Sequence, residues 1–228
     1  MKTRIFYILL FISIIRLHAQ STNKGENSLG TWYAVTTSSK VSDKFSISGS
    51  LTNWNYKIVD NQHLLLAIIG LNYKVNNAVS FGIGYGYGSI DTSFEETGDP
   101  YLIENRTIEQ ISVKYKVYKF SLSHRFKLEQ RFIEYETQYK FKNRIRYRFK
   151  SSFPINKRLS ITFYDEIHYH LINGLDFHQN RAYAGLGVKI NKNMNFQFGY
   201  ARHSYKTKSF NRLSAQLNLK FDFRKAKI

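Results

Sequence analysis

Residues 139–150 read YKFKNRIRYRFK. Taken alternately, Tyr139, Phe141, Asn143, Ile145, Tyr147 and Phe149 form one row. Lys140, Lys142, Arg144, Arg146, Arg148 and Lys150 form the other. A period of two puts these rows on opposite faces of a β-strand, whereas a helix would scatter the cations around its circumference. A solvated basic face at a sheet edge is the plain reading. A membrane barrel strand, apolar towards lipid and charged towards the lumen, accounts better for an aromatic-rich row beside an unbroken cation row.

The rest of the chain agrees with export and a single β domain. There are 228 residues, no Cys and 2 Pro, which favours one domain. Residues 1–19 have the features of a secretory signal: Lys2 and Arg4, an apolar core over 5–15, and Leu17-His18-Ala19 before a cut at Gln20. The apolar run is too short to cross a bilayer as a helix. Losing Lys2, Arg4 and Arg16 takes the formal charge from +18 to +15. Such a charge often marks a nucleic-acid binder. Export and the alternating placement of the cations argue against nucleic acid as a partner. Without Cys no disulfide can staple the fold. The mean hydropathy of −0.40 suits a barrel, because only alternate residues meet lipid. The expectation is therefore an all-β transmembrane antiparallel barrel over residues 20–228.

Alternating segments recur after a polar leader at 20–28. They cover 31–39, 44–55, 64–73, 79–88, 106–118, 120–133, 139–150, 159–169, 181–190, 194–201 and 213–223. In 79–88 the inner row is Ser80, Gly82, Gly84, Gly86 and Gly88, which permits curvature and leaves room for large side chains opposite. A phosphate-binding glycine loop is excluded, because these glycines alternate within a strand and no helix follows. Leu64, Leu66 and Ile68 on an inner face predict a partly filled lumen. Residues 89–105 are the longest break and hold Asp91, Glu95, Glu96, Asp99 and Glu104, five of the 16 acids. They are expected to form a mobile extracellular loop, at the same end as the connections at 56–62, 134–138, 170–180 and 202–211, which are mostly longer than those at the other end.

Two stretches echo each other. Residues 70–85, GLNYKVNNAVSFGIGY, match residues 185–200, GLGVKINKNMNFQFGY, at seven of sixteen positions. Both read as hairpins turning at one membrane face. The segments total eleven, but an all-antiparallel closed barrel needs an even number. Twelve strands is the expectation, the extra one in the leader, with ten as the alternative.

Several stretches together resemble a known family. They are Leu29-Gly30-Thr31-Trp32-Tyr33, Leu71-Asn72-Tyr73-Lys74, and the block from Ile108-Glu109-Gln110 to His124-Arg125-Phe126-Lys127-Leu128-Glu129-Gln130-Arg131. Tyr164-Asp165-Glu166 and Gln179-Asn180-Arg181-x-Tyr183-Ala184-Gly185 belong with them. The chain resembles a family of uncharacterised outer-membrane barrel proteins of Gram-negative bacteria, grouped as a domain of unknown function. The resemblance implies a barrel in the outer membrane, in contact with its lipid and lipopolysaccharide. It implies no activity and no catalytic residue.

Three chemistries fit parts of this pattern. Glu166, His168 and His170 share a strand face as metal ligands would, but polar lumen lining explains them better, and no metal or cofactor is expected. Outward His124 and Asp165 suggest a lipid hydrolase, as in barrels that act on lipid with their outer wall. The outward rows nearby hold no serine nucleophile, and a polar rim position, or a local bulge that shifts the phase, explains Asp165 more simply. The chain is thus not expected to be an enzyme. A narrow pore favouring small anionic solutes is the leading reading. Its basic lining would be Arg125, Lys127, Arg131, Lys140, Lys142, Arg144, Arg146 and Arg148, with Glu129 and Glu166 as counter-charges. A plugged barrel with a structural or envelope-interaction role is the alternative. Glu129 and Glu166 are expected to flank residues 139–150 from both sides and clamp Lys142 and Arg144. Arg146, Arg148 and Lys150 would be left unmatched.

Overall fold

A computed structural model describes residues 28–94, 102–135 and 138–224. The candidate signal at 1–19, the leader at 20–27 and the acids Glu95, Glu96 and Asp99 lie outside them. The described residues form eleven strands and no helix. In chain order these are β1 (Leu29–Lys40), β2 (Phe45–Asn55), β3 (Gln62–Lys74), β4 (Val79–Ile90), β5 (Leu102–Val117) and β6 (Phe120–Tyr135). β7 (Gln138–Pro154), β8 (Leu159–Leu171), β9 (Leu175–Lys189), β10 (Met194–Tyr205) and β11 (Ser209–Asp222) follow.

The strands close into one barrel in sequence order. Neighbours are antiparallel except at the seam, where β1 runs parallel to β11, from Leu29 opposite Asn211 to Lys40 opposite Asp222. This corrects the expected count of twelve or ten. One parallel pair lets an odd number of strands close, and β1 already has β2 on its other side, so the wall has no gap for a twelfth strand. At the foot of the seam Arg224 reaches Asp43 at 2.6 Å, tying the end of the chain to the β1–β2 turn.

Strand alternation sorts the side chains as the sequence predicts. Phe81, Ile83, Phe126, Phe141, Phe163, Leu186 and Phe198 are exposed on the outside. Glu104, Glu129, His168 and Arg212 are shut inside. An exterior rich in exposed aromatic and aliphatic side chains around a charged interior is the reverse of the usual arrangement in water.

Three of the five turns at the lower end share one device. Asn76, Asn156 and Asn191 stand second in Val-Asn, Ile-Asn and Ile-Asn turns. Each accepts backbone N–H groups from two or three residues ahead with its side-chain oxygen, at 2.8 Å. Such Asx turns reverse a chain within a few residues. The echoed hairpins, β3–β4 and β9–β10, both turn at this end. Each also pairs glycine with glycine across its strands, Gly70 with Gly84 and Gly185 with Gly199.

At the upper end the strands run further than the alternation suggested. The breaks expected at 134–138, 170–180 and 202–211 are largely strand: β6 runs to Tyr135 and β7 begins at Gln138, β8 runs to Leu171 and β9 begins at Leu175, β10 runs to Tyr205 and β11 begins at Ser209. Outward positions here are polar (Asn180, Arg202, Asn211), so the apolar period fades although the ladder continues. Asn173 and Gly174, both at positive φ, make the tight β8–β9 reversal. β5 likewise begins at Leu102. Glu104, read as loop, therefore points into the barrel.

Candidate functional site: a charged lumen with two chambers

The inward rows of β5–β9 meet in a fixed register. One cross-strand row runs Arg106, Arg131, Lys142, and the next Ile108, Glu129, Arg144, His170. Below them run Lys127, Arg146, His168, Gln179, and then Arg125, Arg148, Glu166, Arg181, His203. Like charges therefore stand directly opposite each other at several points, an unfavourable arrangement on a sheet. The carboxylates relieve it by also bonding diagonally. Glu129 takes Arg144 through Nε at 2.8 Å and Nη2 at 2.5 Å, and Arg146 at 2.6 Å. Glu166 takes Arg146 and, two strands away, Arg125, both at 2.6 Å. Glu104 holds Arg131 through two bonds, at 2.7 and 2.5 Å, and Arg106 at 2.7 Å. Arg106 also lies 3.9 Å from Glu129, which joins the groups into one network.

Three carboxylates thus bind five guanidiniums, an excess of two positive charges among the described residues. Bidentate and shared guanidinium–carboxylate contacts are strong and directional. Burial makes them obligatory, because an unpaired charge here would bear its full desolvation cost.

The clamp on β7 differs from the expected one by a shift of register. Glu129 and Glu166 do stand on the strands flanking β7, but they hold Arg144 and Arg146. Glu129 faces Arg144 rather than Lys142, and Glu166 faces Arg148. Arg146, expected to be unmatched, is held by both carboxylates. Lys142 touches no carboxylate among the described residues. Lys140 is exposed and lies 4.7 Å above the Tyr135 ring, on the rim rather than in the lumen. The third counter-charge, Glu104, was legible in principle. Carrying the inward parity of Ile108 and Arg106 back one step reaches it.

The opposite wall is apolar and aromatic. Trp54, Leu64 and Leu66 form a buried cluster with Trp32, Ile68 and Ile90 packed against it. Arg181 lies 4.4 Å and Arg212 5.3 Å from the Trp54 ring, so both guanidiniums meet a π face. Arg212 also contacts His63 Nδ1 at 2.6 Å and His203 Nδ1 at 3.5 Å. Above this wall Tyr56 stacks on His63 with ring centres 4.3 Å apart and donates to the Asp91 carbonyl at 3.1 Å. The sequence places Leu64, Leu66 and Ile68 inside, but not Trp32, Trp54, Tyr56 and the arginines and histidines around them, because the members come from β1–β4, β9–β11 and a loop.

Two cavities occupy the lumen. The upper one, about 510 Å³, lies between the charged and aromatic walls and reaches Thr92, Tyr135 and Lys208 near the upper rim. The lower one, about 460 Å³, is lined by serines, threonines and asparagines and reaches Asn76 and Asn77 in the β3–β4 turn. They share the wall residues Thr36, Ser50, Ile68, Arg125 and Lys127.

The other candidate chemistries are placed as follows. His168 Nε2 is 3.4 Å from Glu166, and arginines surround both. No group of three potential metal ligands forms among the described residues. On the outer wall, His124 contacts the hydroxyls of Tyr115 at 3.0 Å and Tyr147 at 2.8 Å. Asp165 faces outward in phase and accepts the Asn180 amide at 2.9 and 3.0 Å. The bulge expected near Asp165 lies instead at His168/Tyr169, opposite His178. Phe149 separates His124 from Asp165 in their shared row.

Residues 29–214 match the family described as "Protein of unknown function (DUF2490)". The chain belongs to this family. The match spans β1 to the middle of β11, the strands that build the barrel and its charged wall. No curated protein matches the chain significantly. Among solved structures the chain is similar to LpxR from Salmonella typhimurium, at 7% identity over 77% of this chain and 83% of that one, with a TM-score of 0.46. It is similar also to the translocator domain of autotransporter NalP from Neisseria meningitidis, at 12% identity over 75% and 72%, with a TM-score of 0.44. Neither similarity bears on what this chain does.

Proposed function

We propose that the chain is exported by its first 19 residues, spans the outer membrane, and acts as a narrow pore favouring small anions. The end where β4 finishes and β5 begins would face outside, and the end with the Asx turns the periplasm. The observation that carries the reading is that the upper and lower chambers share the wall residues Arg125 and Lys127, so that a path between the upper rim and the lower turns would pass these two cations. Cations on that path outnumber carboxylates, and a low-dielectric wall focuses such a field on anions. A plugged barrel is the second reading, favoured by the packing of Trp54, Leu64 and Leu66 inside the wall.

Planar-bilayer recording separates the two. The pore reading expects small, discrete conductance steps and a reversal potential in a salt gradient displaced towards that of the anion. Replacing Arg125 and Lys127 with glutamine should weaken that selectivity. Cation selectivity, or a silent bilayer with correctly folded protein, would overturn the pore and leave the plugged barrel.

A further inference from the structure

The upper chamber has two faces of opposite character. Trp54, Leu64, Leu66, Ile68 and Ile90 line one side. Arg148 stands on the other, on β7; Arg181, on β9, reaches over to the Trp54 ring, and the two arginines flank Glu166 in a single cross-strand row. Glu166 is the direct neighbour of both, yet its oxygens are committed to Arg125 and Arg146. Among the described residues neither Arg148 nor Arg181 touches a carboxylate. Each rests on an aromatic ring instead, Arg148 at 5.5 Å from Tyr164 and Arg181 at 4.4 Å from Trp54. Arg181 makes one further contact, Nε to Gln179 Oε1 at 3.0 Å. Arg148 Nε has no protein partner. The backbones carrying these two guanidiniums are two strands apart, about 10 Å, a gap that side chains of this length can close on one acid group.

A volume of about 510 Å³ is the size of a small-molecule site. An inorganic anion would satisfy the arginines but leave the tryptophan and leucine wall to water. A neutral apolar molecule would cover that wall but leave the arginines uncompensated. A ligand with both features satisfies both walls.

We propose that the upper chamber binds amphiphilic organic anions, with the acid group on Arg148 and Arg181 and the apolar body against Trp54 and the leucines beside it. This deepens the pore reading by naming the class of solute, and rests on it only in requiring a mouth wide enough for entry.

The chain has two tryptophans, so a Trp32→Phe variant leaves Trp54 as the single emitter. In that background the full-length protein is titrated with ω-bromoundecanoate, whose bromine quenches tryptophan on contact, and with ω-bromoundecanol as the neutral match. The acid should quench saturably, and the alcohol should need at least about tenfold more. Replacing Arg148 and Arg181 together by glutamine should weaken the acid by about tenfold and leave the alcohol unchanged. Heat-modifiable gel mobility establishes that the variant is folded. If it is not, the two single variants carry the test, each with a smaller shift. Equal quenching by acid and alcohol, or an acid titration unmoved by the arginine changes, would overturn the proposal. Bilayer conductance without ligand is measured independently. A silent bilayer with saturable, arginine-dependent quenching would refute the pore and leave the binding site standing.

Discussion

The barrel has two walls that share a backbone geometry and differ in what holds them. Along β5–β8 the interior is an ion-pair lattice in which each carboxylate serves at least two arginines. Along β1–β4 the interior is tryptophan, leucine and glycine above, and serine and asparagine below. The first wall depends on valence, because a missing anion leaves several cations uncompensated at once. The second depends on volume, because its contacts are dispersion and burial, which degrade gradually as atoms are removed. Together they make a lumen that is densely charged on one side and, on the other, apolar above and polar below.

The sharpest way to break this comparison is to remove one anion. Glu129→Gln leaves Arg144 without its carboxylate and Arg146 with half of its pairing. The expected loss is about 3–5 kcal/mol of stability where the pair is fully desolvated. It is read as a lower denaturant midpoint or a lower temperature of heat modification. Adding Arg144→Met to that variant should recover part of the loss. An unchanged midpoint in Glu129→Gln would mean that water in the lumen, rather than the lattice, compensates these charges.

The contact between the two walls gives a smaller effect. Gly86 on β4 stands across from Arg106, and a Cβ there would come within 2.9 Å of Arg106 Cγ and 3.2 Å of Ile68. Arg106 is held by Glu104 and cannot swing away freely. Gly86→Ala should therefore cost about 1–3 kcal/mol by overpacking, measured in the same unfolding experiment. If Glu104→Gln is introduced first, Arg106 is released and the glycine substitution should cost less. An equal cost in both backgrounds would show that the charged wall does not constrain its neighbour.

The smallest effect is expected at the rim. Lys140 belongs to the same cation row of β7 but is exposed on Tyr135. Lys140→Gln should change stability by less than about 0.5 kcal/mol. A larger loss would place the edge of the network higher than the ion pairs do.

Much of this was legible in the chain. Alternation in 139–150 set the face of every residue on β7, and the same argument placed Arg125, Lys127, Glu129 and Arg131 inside. Side-chain parity is a local property of a strand, so a few residues suffice to read it. The choice of partner was not legible. Register between strands depends on where each turn begins, and a shift of two residues preserves parity while exchanging one cation for another. That is why Glu129 meets Arg144 rather than Lys142. The upper strand ends were missed for a related reason: their outward residues are polar, so the ladder continues where the hydrophobic signal stops.

The sequence by itself thus determined a β-chain with a basic inner row, an apolar outer row and short Asn-marked turns, because each of these is written in neighbouring residues. Only the tertiary structure decided the eleven-strand closure, since a parallel seam joins residues from the two ends of the chain. It also decided which arginines are neutralised and which remain free. The aromatic wall around Trp54 and the chamber it shares with Arg148 and Arg181 exist only once the sheet has curled round on itself, because they bring together side chains that no local pattern links.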